Sequence, residues 1–120
     1  MASGGNSRRI NTGNGILTIG HVRHLDLFFE KAAADKAFNP THLSLYIALF
    51  QCWNLNNFKN PVNISREELM RISKINSKAT YHKCLKALHC KGYIKYEPSY
   101  NSFKGSHFHL LNFHLPEITT

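Results

Sequence analysis

Residues 64–94 read Ile-Ser-Arg-Glu-Glu-Leu-Met-Arg-Ile-Ser-Lys-Ile-Asn-Ser-Lys-Ala-Thr-Tyr-His-Lys-Cys-Leu-Lys-Ala-Leu-His-Cys-Lys-Gly-Tyr-Ile, and this stretch decides the fold. Ser65 is a strong N-cap, and Glu68 follows it by three residues, the pattern of a capping box. Leu69, Ile72 and Ile75 form an apolar stripe. Lys74-Ile75-Asn76 is too short for anything but a turn, and Asn76 or Ser77 caps the helix that follows. That helix runs to about Lys91 and stops at Gly92, the residue type that best tolerates the left-handed position after a helix. The spacing therefore predicts two helices joined by a tight turn.

The second of these helices carries the functional signal. At 100° per residue, Tyr81, Cys84, Leu85 and Leu88 share one side, while Ala79, His82, Lys83 and Lys86 share the other. From Arg71 to Tyr96 there are seven Lys or Arg residues and no Asp or Glu. A solvated helix face ordinarily mixes both signs in i,i+4 pairs. A run of one sign on two helices joined by a turn points to DNA phosphate. The plain alternative is a solvated lysine face, since a charge run alone is weak evidence.

Composition sets the frame. A chain of 120 residues with 42% hydrophobic content makes one domain with a sizeable core. The net charge is +8, and residues 57–105 hold ten basic and three acidic side chains, hence +7. Such a balance favours nucleic acid or another anionic surface. No apolar run has the length of a membrane span, and the first residues lack the apolar centre of a signal peptide. Three cysteines without paired spacing are expected as reduced thiols in a cytoplasmic protein.

Taken in order, residues 1–15 are rich in Gly, Asn and Ser and are expected to be a disordered tail. Residues 16–38 hold one helix, from about His21 to Lys36, with Val22, Leu25, Phe28, Phe29, Ala32 and Ala33 at helical spacing. A three-helix core does not need it. It is offered either to the next helix or, the preferred reading, to its counterpart in a homodimer. Residues 39–115 form the main domain. Asn39-Pro40 starts a helix, and Leu43 to Trp53 is apolar almost all round, so that helix is the centre of the core. Trp53 and Phe58 read as core packing rather than as a platform for bases.

Val62-Asn63-Ile64 is short and β-prone. After Gly92, Tyr93 to Glu97 alternates like a strand, residues 98–105 are turn-rich, and His107 to Phe113 alternates again. Two strands around a loop make a β-hairpin. The expected fold is mainly α with a small β-hairpin: a winged helix-turn-helix, with a three-helix core plus wing and an extra N-terminal helix. Residues 116–120 are expected to be a C-terminal tail.

The sequence offers little for other chemistry. Zinc sites want ligands at short paired spacing, and His82, Cys84, His89, Cys90, His107 and His109 do not supply it. The seven carboxylates are scattered, and neither G-x-S-x-G nor a Gly-rich phosphate loop occurs. No enzyme activity, cofactor or metal is expected, and the sequence marks no effector pocket.

Three segments carry a family resemblance. Leu43 to Asn54 (LSLYIALFQCWN), Ser77 to Leu85 (SKATYHKCL) and Gly92 to Asn101 (GYIKYEPSYN) resemble the small winged helix-turn-helix transcriptional regulators of bacterial mobile elements and prophages. The resemblance spans about His24 to Leu111 and implies this fold and a DNA-binding role. An Arg often stands in that pattern where His82 or Lys83 stands here. Lys and His lack the guanidinium fork that reads guanine bidentately.

The expected function is sequence-specific binding of double-stranded DNA by a transcriptional regulator. Ser77, Lys78, Thr80, His82, Lys83 and Lys86 are the expected recognition-helix contacts. Arg71, Lys74, Tyr100, Asn101 and Lys104 are the expected backbone and wing contacts. Two other readings use the same surface: a DNA-binding module for replication or excision of a mobile element, and a winged helix used only for protein contacts.

Overall fold

The computed structural model describes residues 18–98 and 105–112. Among these, the order is α1 (Ile19–Ala34), α2 (Pro40–Leu55), β1 (Val62–Ile64), α3 (Arg66–Ser73), α4 (Lys78–Cys90), β2 (Ile94–Glu97) and β3 (Ser106–Leu110). The architecture is mainly helical, with a small three-stranded antiparallel sheet in the order β1-β3-β2. The 99–104 segment, with Tyr100, Asn101 and Lys104, and the tails at 1–15 and 116–120 lie outside the described residues.

Each helix starts on a side-chain cap. Thr18 caps α1 and Asn39 caps α2, with Pro40 in the first turn of α2. Both boxes are closed by a histidine: the Asn39 N–H donates to His42 Nδ1 at 3.0 Å and the Thr18 N–H to His21 Nδ1 at 3.4 Å. Ser65 accepts from the Glu68 N–H at 3.1 Å, and Ser77 from the Thr80 N–H at 3.2 Å. The capping box expected at Ser65 is only half built. The Glu68 carboxylate turns instead to the Arg71 guanidinium, a charged partner three residues on.

Two helix ends share one geometry with different residues. After α4, Gly92 sits at φ +84°, the Tyr93 N–H reaches the Leu88 carbonyl at 3.0 Å, and the Gly92 N–H reaches that of His89 at 3.2 Å. After α3, Lys74 sits at φ +63°, with Ile75 N–H on the Met70 carbonyl at 3.1 Å and Lys74 N–H on that of Arg71 at 3.4 Å. Both are Schellman caps. The second forces a residue with a Cβ into the left-handed region.

The expected hairpin is β2 and β3, and β1 joins it from the far side. Val62 stands opposite Phe108, and Phe108 opposite Tyr96. Val62, Phe108, Ile94 and Leu110 are buried, so one face of the sheet lies on the helices. The register carried two residues further sets Asn60 against Leu110. There a side chain replaces backbone: Asn60 Nδ2 donates to the Leu110 carbonyl, and the Leu110 N–H donates to Asn60 Oδ1, both at 3.0 Å.

The core is centred on α2, whose Leu45, Tyr46 and Leu49 are fully buried together with Phe28, Leu69, Leu88 and Tyr93. Trp53 is buried and meets Phe58 edge-on, 5.0 Å between ring centres, as core packing requires. Of the two readings offered for α1, the structure shows its packing on the next helix, and more deeply than an added layer requires. Phe28 stacks on Tyr46 with centroids 3.9 Å apart and presents its edge to Tyr93 at 5.7 Å. A chain of this size gains by burying every large apolar group it can, and α1 supplies one.

Candidate nucleic-acid interface

The outer face of α4 is held in place by its inner face. Tyr81, Cys84, Leu85 and Leu88 are buried, whereas Lys78, Ala79, Thr80, His82, Lys83 and Lys86 are exposed. The two faces fall as the helical period assigned them. A helix of 13 residues is about 20 Å long and 10–12 Å across with its side chains. That diameter matches a DNA major groove about 12 Å wide.

Seven basic residues without local acids do not mean seven unpaired charges. Lys91 Nζ donates to both Asp35 oxygens at 3.0 and 3.2 Å, binding the end of α4 to the end of α1. This pairing holds the Asp35 carboxyl below its ordinary range. Lys95 pairs with Glu97 at 3.4 Å, and Arg71 is engaged by Glu68. Glu97 is likewise held low by Lys95, and Glu68 by Arg71. Of the seven, four have no ion pair among the described residues: Lys74, Lys78, Lys83 and Lys86. Sequence reasoning missed Lys91 because its partner Asp35 lies 56 residues away, and missed the other two pairs because Glu68 and Glu97 stand just outside the run of basic residues.

The four are consecutive basic residues of the chain, on the turn and α4. Arg71, expected as a backbone contact, is exposed beside them but committed to Glu68. Lys83 also lies near enough to the start of α2 to disfavour protonation of His42, after the larger effect of burial and that of Lys91.

A second part of the surface was not foreseen. An open groove of about 430 Å³ runs beside the start of α4, lined by Pro40, Thr41 and Ser44 of α2, by Ser73 to Ser77, and by Thr80. The Ser44 hydroxyl donates to the Ser73 carbonyl, fixing α2 against the end of α3. The groove therefore sets the first turn of α2 beside the first turn of α4. The N–H groups of Thr41 and His42 are held by Asn39 Oδ1 and that of Thr80 by Ser77 Oγ, so the charge this groove offers an anion is that of Lys74. Thr41 and Ser44 carry no local signal, since tertiary packing alone brings them to α4.

Three other histidines do structural work. His24 Nε2 lies 2.8 Å from the Tyr46 hydroxyl in the core, and burial, aided by the neighbouring His21, lowers its pKa to about 4. His89 Nδ1 accepts the Tyr96 N–H at 3.1 Å, joining α4 to β2. His109 Nε2 meets Glu97 at 3.4 Å on the outer face of the sheet. Among the described residues no three His, Cys, Asp or Glu side chains gather as metal ligands, and no helix is long and apolar enough to cross a membrane. Cys84 is buried and its thiol is pushed up by that burial. No protein-family model, curated protein or solved structure matches the chain.

Proposed function

We propose that this protein is a sequence-specific, double-stranded DNA-binding regulator of transcription built as a winged helix-turn-helix. In this reading α2, α3 and α4 are the three-helix core, α4 enters the major groove by its N-terminal half, and the β2–β3 hairpin is the wing. The element order and the three-stranded sheet support the fold assignment. The carrying observation is the set of four cations, Lys74, Lys78, Lys83 and Lys86. They stay without an ion pair among the described residues while their basic neighbours are consumed by Glu68, Asp35 and Glu97.

Ser77, Lys78, Thr80, His82 and Lys83 are assigned to base edges and adjacent phosphates, and Lys74 and Lys86 to the backbone. Short hydroxyl, imidazole and ammonium groups read purine N7 and O6 singly, so each base contact is weaker than a bidentate arginine pair. The groove beside Thr41 and Lys74 takes a flanking phosphate. The resemblance to regulators of mobile elements sets the biological context of the proposal, inside a bacterial cytoplasm.

Selection of bound duplexes from a random library at two salt concentrations tests the reading. One recovered motif that survives the higher salt supports it. Enrichment without a motif that vanishes at higher salt marks an electrostatic binder, and shifts the role toward nucleoprotein assembly in replication or excision. No retention of DNA even at low salt refutes the proposal. On the selected motif, Lys83→Ala is expected to lose about 1–3 kcal/mol if the side chain reads a base.

A further inference from the structure

The inward side of α1 is spent on the core, where His24 and Phe28 lie against Tyr46. Its outward side carries Ile19, Val22, Asp26, Phe29 and Ala33, at intervals of three, four, three and four residues. Ile19 is 88% exposed, Val22 51% and Phe29 48%. Alternating intervals of three and four mark a seam along which one helix packs on another. Apolar groups on a solvated helix are ordinarily scattered, whereas these fall on one stripe. One charged residue interrupts it: Asp26 stands mid-stripe, its carboxylate 3.9 Å from Arg23 of the same helix, with both side chains largely exposed.

We infer that a second copy of this chain covers the stripe, with the two α1 helices antiparallel. Charge decides both the partner and the direction. The chain carries +8 overall, so two copies repel over most of their surfaces. Helix α1 is neutral, since Arg23 and Lys31 balance Asp26 and Glu30. It is therefore a place where two copies meet without that penalty. A parallel pair would set Asp26 on Asp26, burying two like charges. An antiparallel pair about an axis near His24 sets Ile19 against the second copy's Phe29 at both ends, and Val22 against its Asp26. The second copy's Arg23 then reaches Asp26, and the interrupting carboxylate becomes an interchain ion pair. A contact made by one 16-residue helix, about 24 Å long, is small for a dimer interface, so the association is weak and concentration-dependent. The inference concerns the free protein and stands or falls without reference to DNA.

Sedimentation velocity on the full chain, without DNA, tests it over a range from about 10 to about 500 µM, where weak pairs form. The expected result is a shift from monomer toward dimer as concentration rises. Phe29→Lys is expected to weaken association at least tenfold. Asp26→Arg is expected to do the same, and the double variant Arg23→Asp/Asp26→Arg to recover most of the loss. Arg23 and Asp26 are exposed, so the charge exchange reads the contact even if Phe29→Lys perturbs folding. A monomer at every concentration overturns the inference, as does a dimer indifferent to the charge exchange. Direction is read by Ile19→Cys in a Cys90→Ser background. In the antiparallel pair the two introduced thiols lie at opposite ends and do not cross-link under oxidation, whereas a self-linked dimer rejects this arrangement.

Discussion

Helices α1 and α4 are alike on the inside and opposite on the outside. Each buries aromatic or aliphatic side chains in one shared core, and their ends are tied by Asp35 and Lys91. The outside of α4 is polar and positive, with Lys78, Lys83 and Lys86 and no acid along the helix. The outside of α1 is apolar at Ile19, Val22 and Phe29, and its charges cancel. The inner faces therefore say how the molecule holds together, and only the outer faces say what each helix meets.

The sharpest way to break the comparison is to deny that the inner faces are equivalent. If α1 were an appendage, truncating Phe28 would cost little. Its ring is fully buried between Tyr46, Tyr93 and Phe38. Phe28→Ala is therefore expected to cost about 3–5 kcal/mol, comparable with Leu88→Ala on α4 at about 2–5 kcal/mol. Urea denaturation of both variants checks this. A loss below about 1 kcal/mol for Phe28→Ala alone would restore the reading of α1 as an added layer.

Acid separates the two helices next. His24 titrates near pH 4 in the fold against an ordinary value of 6.5, so the unfolded chain binds the extra proton between those values. Stability is then constant above about pH 6.5, falls as pH drops through that window, and levels off below about pH 4, for a total of about 3 kcal/mol. His21 and His42 are displaced the same way by burial and deepen the loss. Thermal melts at intervals from pH 7.5 to 4.5 measure it. His24→Gln should flatten the curve, and a wild-type melting temperature unchanged between pH 7 and 5 would show that α1 is not held by a neutral histidine.

Much of this arrangement is legible in the sequence because its causes are local. Ser77 and Gly92 bound α4 through contacts a few residues long, and the period of 3.6 assigns Tyr81, Cys84, Leu85 and Leu88 inward. Asn39-Pro40 announces α2 for the same reason. What escaped depends on partners far along the chain. The pairing of Lys91 with Asp35 removes one cation from the candidate surface, and the Ser44–Ser73 bond builds the groove beside α4. The histidine caps escaped for a different reason. A capping box is sought with Glu or Gln at its third position, and a neutral imidazole accepts the same N–H without matching that pattern. The Asn60 amide, acting as a strand partner for Leu110, likewise has no signature in a sequence read residue by residue.

The outer faces differ in what DNA should feel. Lys86→Ala is expected to reduce the dependence of log affinity on log salt by about one, for its lost phosphate contact. Lys36→Ala, just past α1, removes an exposed cation that likewise has no ion pair among the described residues, and should leave that slope unchanged. Titrations of one selected duplex at four salt concentrations decide it. Equal slopes for the two variants would mean that DNA does not distinguish the faces.

The smallest expected effect isolates the turn between α3 and α4. Lys74 adopts φ +63° and ψ +30°, a conformation costing about 1–2 kcal/mol for a residue with a Cβ. Gly92 does the same task after α4 without that cost. Lys74→Gly removes the strain but adds backbone freedom to the unfolded chain worth about 0.5–1 kcal/mol. The net expectation is a gain of about 0.5 kcal/mol, seen as a small rise in the urea midpoint. The same change deletes one of the four free cations, so the salt slope of DNA binding should fall by about one. Stability and binding then move in opposite directions in one variant. Lys74→Asn separates the causes: asparagine tolerates the left-handed region but carries no charge, and should share the binding loss with less of the stability gain. If Lys74→Gly binds DNA as the parent does, the turn is only a hinge between helices, and the contact surface shrinks to α4 itself.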